Sequence, residues 1–386
     1  MYDRVPLRNG FPTFSVAAIR RRHDALRKAM EREGLHCAVL YGSGRFNSDL
    51  TYLSNWPGGR EGYVVIPLEG EPALLAQLFN HVPVAHKLSL LADTRWAGPD
   101  SLATLVGLLK DRKVDRAGIG FMGSLPFSQF ERLKTLLPEA KLSDFTRQFR
   151  QQRVVYDAEE MAFFKAAAEL SDRSMERLEK ELRPGMREWE LPRLVEMPYL
   201  EAGGYAGIHF MASTPMREPI AFVPHQYQSD RVLQADDCVI TEISGAFWGY
   251  SGQIHRTFFL SEPTPEWVHL HQAASDAFEA MESVLKDGAN IDQVLDAAEL
   301  IDQRGYRIFD DLLHGANQYP PIMQTRSTDR GYPREFTFRE NMVVTIQPQP
   351  TTPDHRMGLQ YGETVRITGT GTERLHGYPR KMVMCG

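Results

Sequence analysis

A helical pattern about 25 residues long, opened by Asp157 and closed by Pro184-Gly185, divides this chain into two regions that order strands and helices differently. Asp157 is an N-cap residue type with Glu160 three positions on, so each side chain can satisfy a backbone N–H of the first turn. Met161, Phe164, Ala167, Leu170, Met175 and Leu178 then recur at helical intervals. Ahead of this helix lie short apolar runs, Cys37-Ala-Val-Leu-Tyr-Gly, Gly62-Tyr-Val-Val-Ile-Pro and Arg116-Ala-Gly-Ile-Gly-Phe. With amphipathic patterns over 15–34, 101–110 and 127–137, they predict an α/β domain over 1–155. Behind it, helical patterns over 188–202, from Thr264 to Gly288, and over 291–304 accompany strand-like His209-Phe-Met-Ala-Ser, Cys238-Val-Ile-Thr-Glu-Ile, Thr257-Phe-Phe-Leu, Met342-Val-Val-Thr-Ile and Glu363-Thr-Val-Arg-Ile. Residues 156–386 are therefore predicted to be α+β.

A length of 386 residues suits two such domains, and 42% hydrophobic residues supply their cores. Forty-four basic against fifty acidic residues, with no long run of either sign, leave no electrostatic footprint for nucleic acid. The apolar runs fall well short of the roughly 20 residues of a membrane span, and the polar start lacks a secretory h-region, so a cytoplasmic protein is expected. Cys37, Cys238 and Cys385 are too widely spaced for a cysteine zinc site, and as an odd set they suit free thiols in a reducing compartment.

Polar residues on apolar strands mark where chemistry can sit, because burial tunes a His or carboxylate towards neutrality. Glu242 follows Val239-Ile240-Thr241, and Gln253 and His255 flank Ile254, sharing one face of a strand. A hairpin turning through Trp248-Gly249-Tyr250 would bring Glu242 beside that pair. His314 precedes Gly315, Gln347 ends an apolar run, and Glu363 starts the last one.

The order Pro224-His225, Ser229-Asp-Arg-Val-Leu-Gln, Asp237-Cys-Val-Ile-Thr-Glu-Ile-Ser-Gly, Gly249-Tyr-Ser-Gly-Gln-Ile-His-Arg-Thr-Phe, His314-Gly, Glu340-Asn-Met-Val-Val-Thr-Ile-Gln-Pro and Glu363-Thr-Val resembles the pita-bread family of creatinase, prolidase, aminopeptidase P and methionine aminopeptidase. The front region is similar to the N-terminal domain of creatinase and prolidase. The resemblance implies a creatinase/prolidase-like α/β domain followed by a C-terminal pita-bread domain, with a cavity of curved sheet, in a homodimer. It also implies that the front domain of one subunit reaches the other's cavity, where Arg60 would touch substrate. Trp248 and Tyr361 are candidates for the cavity wall.

Peptidases of this family hold two divalent ions with Asp, Asp, His, Glu and Glu, and the matching positions here are Glu242, Gln253, His314, Gln347 and Gly362. One carboxylate cannot neutralise the +4 charge of two such ions, and hard cations need anionic oxygen. A second His shortly after His314-Gly is also replaced, by Tyr319-Pro320-Pro321. No metal or other cofactor is therefore expected. Creatinase, which works without metal, implies instead that His225 is the catalytic base or acid, with Glu242 and His255 polarising or orienting. His314 and Glu363 complete the catalytic set, and Gln253 and Gln347 bind a small-molecule substrate. His255 stands where creatinase has a substrate-binding Glu, which disfavours a guanidinium substrate. The expected activity is metal-independent hydrolysis of a C–N bond in a small polar molecule. A lyase on the same fold, an Xaa-Pro metallopeptidase with altered ligands, and a ligand-binding pseudoenzyme are the alternatives.

Overall fold

The computed structural model describes residues 2–316 and 320–385. Two compact units divide the chain, Tyr2–Arg153 and the remainder from Val154 onward.

In the first unit the Ser15 side chain accepts from the Ala18 amide and so caps the helix Val16–Arg32. Six strands form one mixed sheet, ordered Asp93–Trp96, Ala73–Ala76, Gly58–Pro67, Cys37–Arg45, Gly118–Gly123 and Lys141–Asp144. Val39, Tyr63 and Val65 of this sheet pack with Leu102, Leu105 and Leu109 of the helix Ser101–Asp111 and Leu133 of the helix Phe127–Leu136. These helices lie where the apolar periodicity set them.

The second unit opens with the helix Ala158–Glu181, and the Asp157 and Glu160 side chains make both bonds of the reciprocal cap. A 9-stranded sheet follows. Its central order is Leu313–Gly315, Val343–Ile346, Gly362–Ile367, Tyr250–Phe259, Asp237–Phe247 and Tyr205–Pro215, each pair antiparallel. The hairpin Asp237–Phe247/Tyr250–Phe259 turns through Trp248-Gly249, both at positive φ. These strands outrun the apolar segments that predicted them, since pairing continues through Gly245, Gly252 and the buried polar positions.

Side chains alternate between the two faces of a sheet, so neighbours in sequence serve different surroundings. On one face the long helix lies against Gly245 and Gly252, which are register partners. A Cβ on Gly252 would fall 2.4 Å from Ala168 Cα, so only glycine admits this approach. Val344, Ile346, Val365 and Ile367 pack with Trp267, Leu270 and Phe278 of the helix Pro265–Val284. Among the described residues no helix is long and apolar enough to cross a membrane.

Candidate active site

The opposite face of this sheet is polar although it is buried. Glu242 pairs directly with His255, and His255 with Gly362, making one row across three strands. The adjacent row runs from Ser244 to Gln253, then through Thr364 and Thr345 to His314. Register partners share a face, so five strands present Glu242, Gln253, His255, Thr364, Thr345 and His314 to one region. Gln347, at the end of the strand that carries Thr345, lies beside Gly362.

Glu242 accepts a 2.7 Å hydrogen bond from Gln253 Nε2. Burial raises its carboxyl pKa to about 8, the negative charges of Asp310 and Asp311 push the same way, and the Gln253 bond only partly offsets them. Asp311 is itself raised to about 6 by burial and by Asp310. His314 is 8% exposed, and burial lowers its pKa. Its Nδ1 lies 2.9 Å from the Gly315 carbonyl, which can only accept, so Nδ1 carries the proton. His255 is fully buried, which lowers its pKa to about 3 despite the Gln360 contact. Gln349 Nε2 and Gln360 Oε1 lie 2.9 and 3.2 Å from its Nδ1. At neutral pH this face therefore holds a protonated carboxylic acid and neutral imidazoles, and a largely ionised Asp311, in the loop before His314, acts on Glu242 through its charge and bonds Gln347 Nε2 through its backbone carbonyl.

Within the second unit, Glu363, Tyr361, Trp248 and His225 stand elsewhere. Glu363 lies between Gly362 and Thr364, so the pleat turns it to the helix-covered face. There it is fully buried and bonded by Arg256, Arg374 and Arg380. Burial alone would raise its pKa, but the bond from Arg374 and the charges of Arg256, His376 and Arg380 hold it at about 2, too acidic for proton transfer at neutral pH. Tyr361 shares that face, edge-on to the rings of His271 and Phe278 and 5.3 Å from the Arg256 guanidinium. Trp248 sits at the hairpin tip, six residues beyond Glu242, or about 20 Å along a strand. His225 is exposed, and its backbone exchanges bonds with Met211, aligning it with the Met211–Thr241 pair rather than with Glu242. Arg60 is exposed on the strand Gly58–Pro67 of the first unit. Tyr319 lies outside the described residues.

Sequence reasoning missed Asp310, Asp311, Gln349 and Gln360. The acidic pair shortly before His314-Gly, and the Gln-Pro-Gln alternation over 347–349, were the available signals.

The donor set does not fit two divalent ions. Glu242 is the one carboxylate among the five family positions, and it is protonated at neutral pH. A Cβ at Gly362 would fall 2.4 Å from the Ile346 carbonyl and 2.8 Å from Gln347 Cα, so no side chain fits there as the strands stand. Among the described residues no group of three or more His, Cys, Asp or Glu side chains is placed to hold a metal ion. Gly362→Ala is accordingly expected to lower stability by about 1–3 kcal/mol through this clash, measurable as a reduced urea midpoint. An unchanged midpoint would show that the strands separate freely.

The family model for metallopeptidase family M24 matches residues 162–369, and that for the creatinase/prolidase N-terminal domain matches residues 22–155. An uncharacterized hydrolase/peptidase of Sinorhizobium fredii is 25% identical, with 98% of this chain and 99% of that protein covered. The ectoine hydrolase of Halomonas elongata is 25% identical over 71% of this chain and 72% of its own. In three dimensions the chain is similar to the Xaa-Pro dipeptidase from Bacillus anthracis, with a TM-score of 0.82 at 19% identity over 95% of this chain and 99% of that one. With the M24 model spanning more than half of the sequence and its motif positions gathered on one face of the sheet, the chain belongs to metallopeptidase family M24.

Proposed function

We propose that this M24-family protein is a metal-independent hydrolase acting on a C–N bond of a small polar molecule. The observation that carries this reading is the polar face itself: one carboxylic acid bonded to an amide, where the family's peptidases gather acidic ligands. Two carboxyl groups held at about 8 and about 6 divide acid and base roles at neutral pH. Asp311, ionised, takes a proton from water as its oxygen attacks the carbon; Glu242, protonated, gives its proton to the departing nitrogen as the C–N bond breaks. Gln253 holds the Glu242 carboxyl in place, and His314 orients through Nε2. The similarity to an ectoine hydrolase supports a substrate other than a peptide. A second reading, a metal-dependent Xaa-Pro dipeptidase, draws on the names of other similar proteins.

Elemental mass spectrometry before and after dialysis against manganese, iron and zinc separates the two, combined with turnover of small amides, ureas and an Xaa-Pro dipeptide with and without chelator. The expected result is less than about a tenth of an ion per chain and C–N cleavage indifferent to chelation. One or two retained ions with metal-dependent dipeptide cleavage would overturn the proposal.

A further inference from the structure

Three buried polar side-chain atoms that make no hydrogen bond lie on one part of this face. His255 Nε2 and Gln349 Oε1 are buried and unpaired, and Gln347 Oε1 makes no hydrogen bond of normal geometry although the His314 ring lies near its side chain; the three residues are at most 2% exposed. An unmet buried donor or acceptor is costly, so such a group is normally satisfied by water or a ligand. Gln347 Nε2 is already committed to the Asp311 carbonyl, and His255 and Gln349 to each other, so local rotation cannot relieve the unmet ends without breaking those bonds.

Two hydrogen placements are open to the His255–Gln349 contact. If Gln349 Nε2 donates to Nδ1, the Gln360 amide must also be turned so that its N–H rather than its Oε1 faces the bare Nδ1, and then His255 offers Nε2–H and Gln349 offers Oε1. If the Gln349 amide is turned over, Nδ1–H donates to Gln349 and to Gln360 Oε1, His255 offers a bare Nε2, and Gln349 offers N–H. Either arrangement leaves a neutral imidazole and presents one donor and one acceptor flanking the same 2.9 Å contact. That pair is complementary to a single –C(=O)–NH– unit. No formal charge stands among His255, Gln347, Gln349 and Gln360 to attract a cation or a carboxylate.

We propose that His255, Gln349 and Gln347 form a recognition subsite for an uncharged carboxamide or urea group of the substrate. The inference rests on the hydrolase reading for the fate of the bound group but not for its binding. It makes His255 a specificity-determining residue rather than an acid or base, and it favours cyclic or open-chain amides and ureides over amidinium ions and zwitterionic dipeptides.

Binding is tested separately from turnover by saturation-transfer NMR and calorimetry on the full chain, with hydantoin and N-methylurea as uncharged probes, acetamidine as the cation and Ala-Pro as the dipeptide. Hydantoin or N-methylurea is expected to bind at least about tenfold more tightly than acetamidine or Ala-Pro. Gln349→Met, close in volume, should abolish about tenfold of that preference, and Gln349→Glu should turn it towards acetamidine. His255→Phe serves as a further probe if its melting curve shows a folded protein. Preference of the wild type for acetamidine or Ala-Pro, binding of none of the four, or a preference unchanged by Gln349→Met would overturn the subsite. Uncharged probes that bind as expected while no amide or ureide is hydrolysed would uphold the subsite and overturn the hydrolase reading.

Discussion

Glu242→Gln is expected to lower turnover by about 10²–10⁴-fold, the range for loss of a positioned proton donor, while leaving substrate affinity within a few fold. The amide keeps the shape and can still meet Gln253, so the loss isolates the proton. The pH profile gives an independent readout. In the wild type, activity requires Asp311 ionised and Glu242 protonated, so kcat/KM should fall below about pH 6 and above about pH 8. The residual activity of the variant should keep the acid limb and lose the alkaline one. Stability should change in the opposite direction. A carboxyl raised from 4.5 to about 8 stabilises the fold fully below its unfolded value and loses that contribution as pH rises through the folded value. Glu242→Gln should therefore match the wild type in melting temperature near pH 4 and exceed it near pH 8. A loss under about tenfold, or an alkaline limb that survives, would remove Glu242 from the proton-donor role.

Glu363→Gln is expected to cost about 3–5 kcal/mol of stability at pH 7, because it leaves the fully buried Arg256 without its carboxylate and removes the common partner of Arg374 and Arg380. The carboxyl is depressed from 4.5 to about 2, so its contribution is present above the unfolded value and is lost as pH falls through the folded one. The difference between wild type and variant in urea unfolding should hold from neutral pH to about 4.5 and shrink towards pH 2. A variant that retains wild-type stability but loses activity would return Glu363 to the catalytic set.

How far the sequence could be read depended on whether position follows from periodicity. The long helix is a direct consequence of Asp157, Glu160 and a regular apolar stripe, and the structure has it at Ala158–Glu181. Gln253 and His255 share a face because their spacing is two, and the hairpin register sets Glu242 opposite His255. Glu363 illustrates the limit: as the polar start of the last apolar run it was expected in the catalytic set, whereas the pleat sends it to the face opposite its neighbour Gly362. Trp248 was near in sequence terms but lies a strand length away. Asp310 and Asp311 sit between the strands Arg307–Ile308 and Leu313–Gly315, where no repeat places a side chain, so only the three-dimensional path of the chain reveals them.

The alternation of His255 with Arg256, and of Gly362 with Glu363, has an evolutionary consequence. Fold maintenance and chemistry are written in interleaved positions of the same strands, so one surface can be rewritten while the guanidinium clamp behind it stays closed. Carboxylates can be exchanged for amides, and one catalytic strategy for another, without renegotiating the scaffold. The same interleaving makes these strands intolerant of single-residue insertions and deletions, which would turn the clamp onto the polar face and the recognition groups into the apolar layer under the helices. Lineages sharing this architecture should therefore diversify by substitution along these strands and confine changes of length to the loops between them.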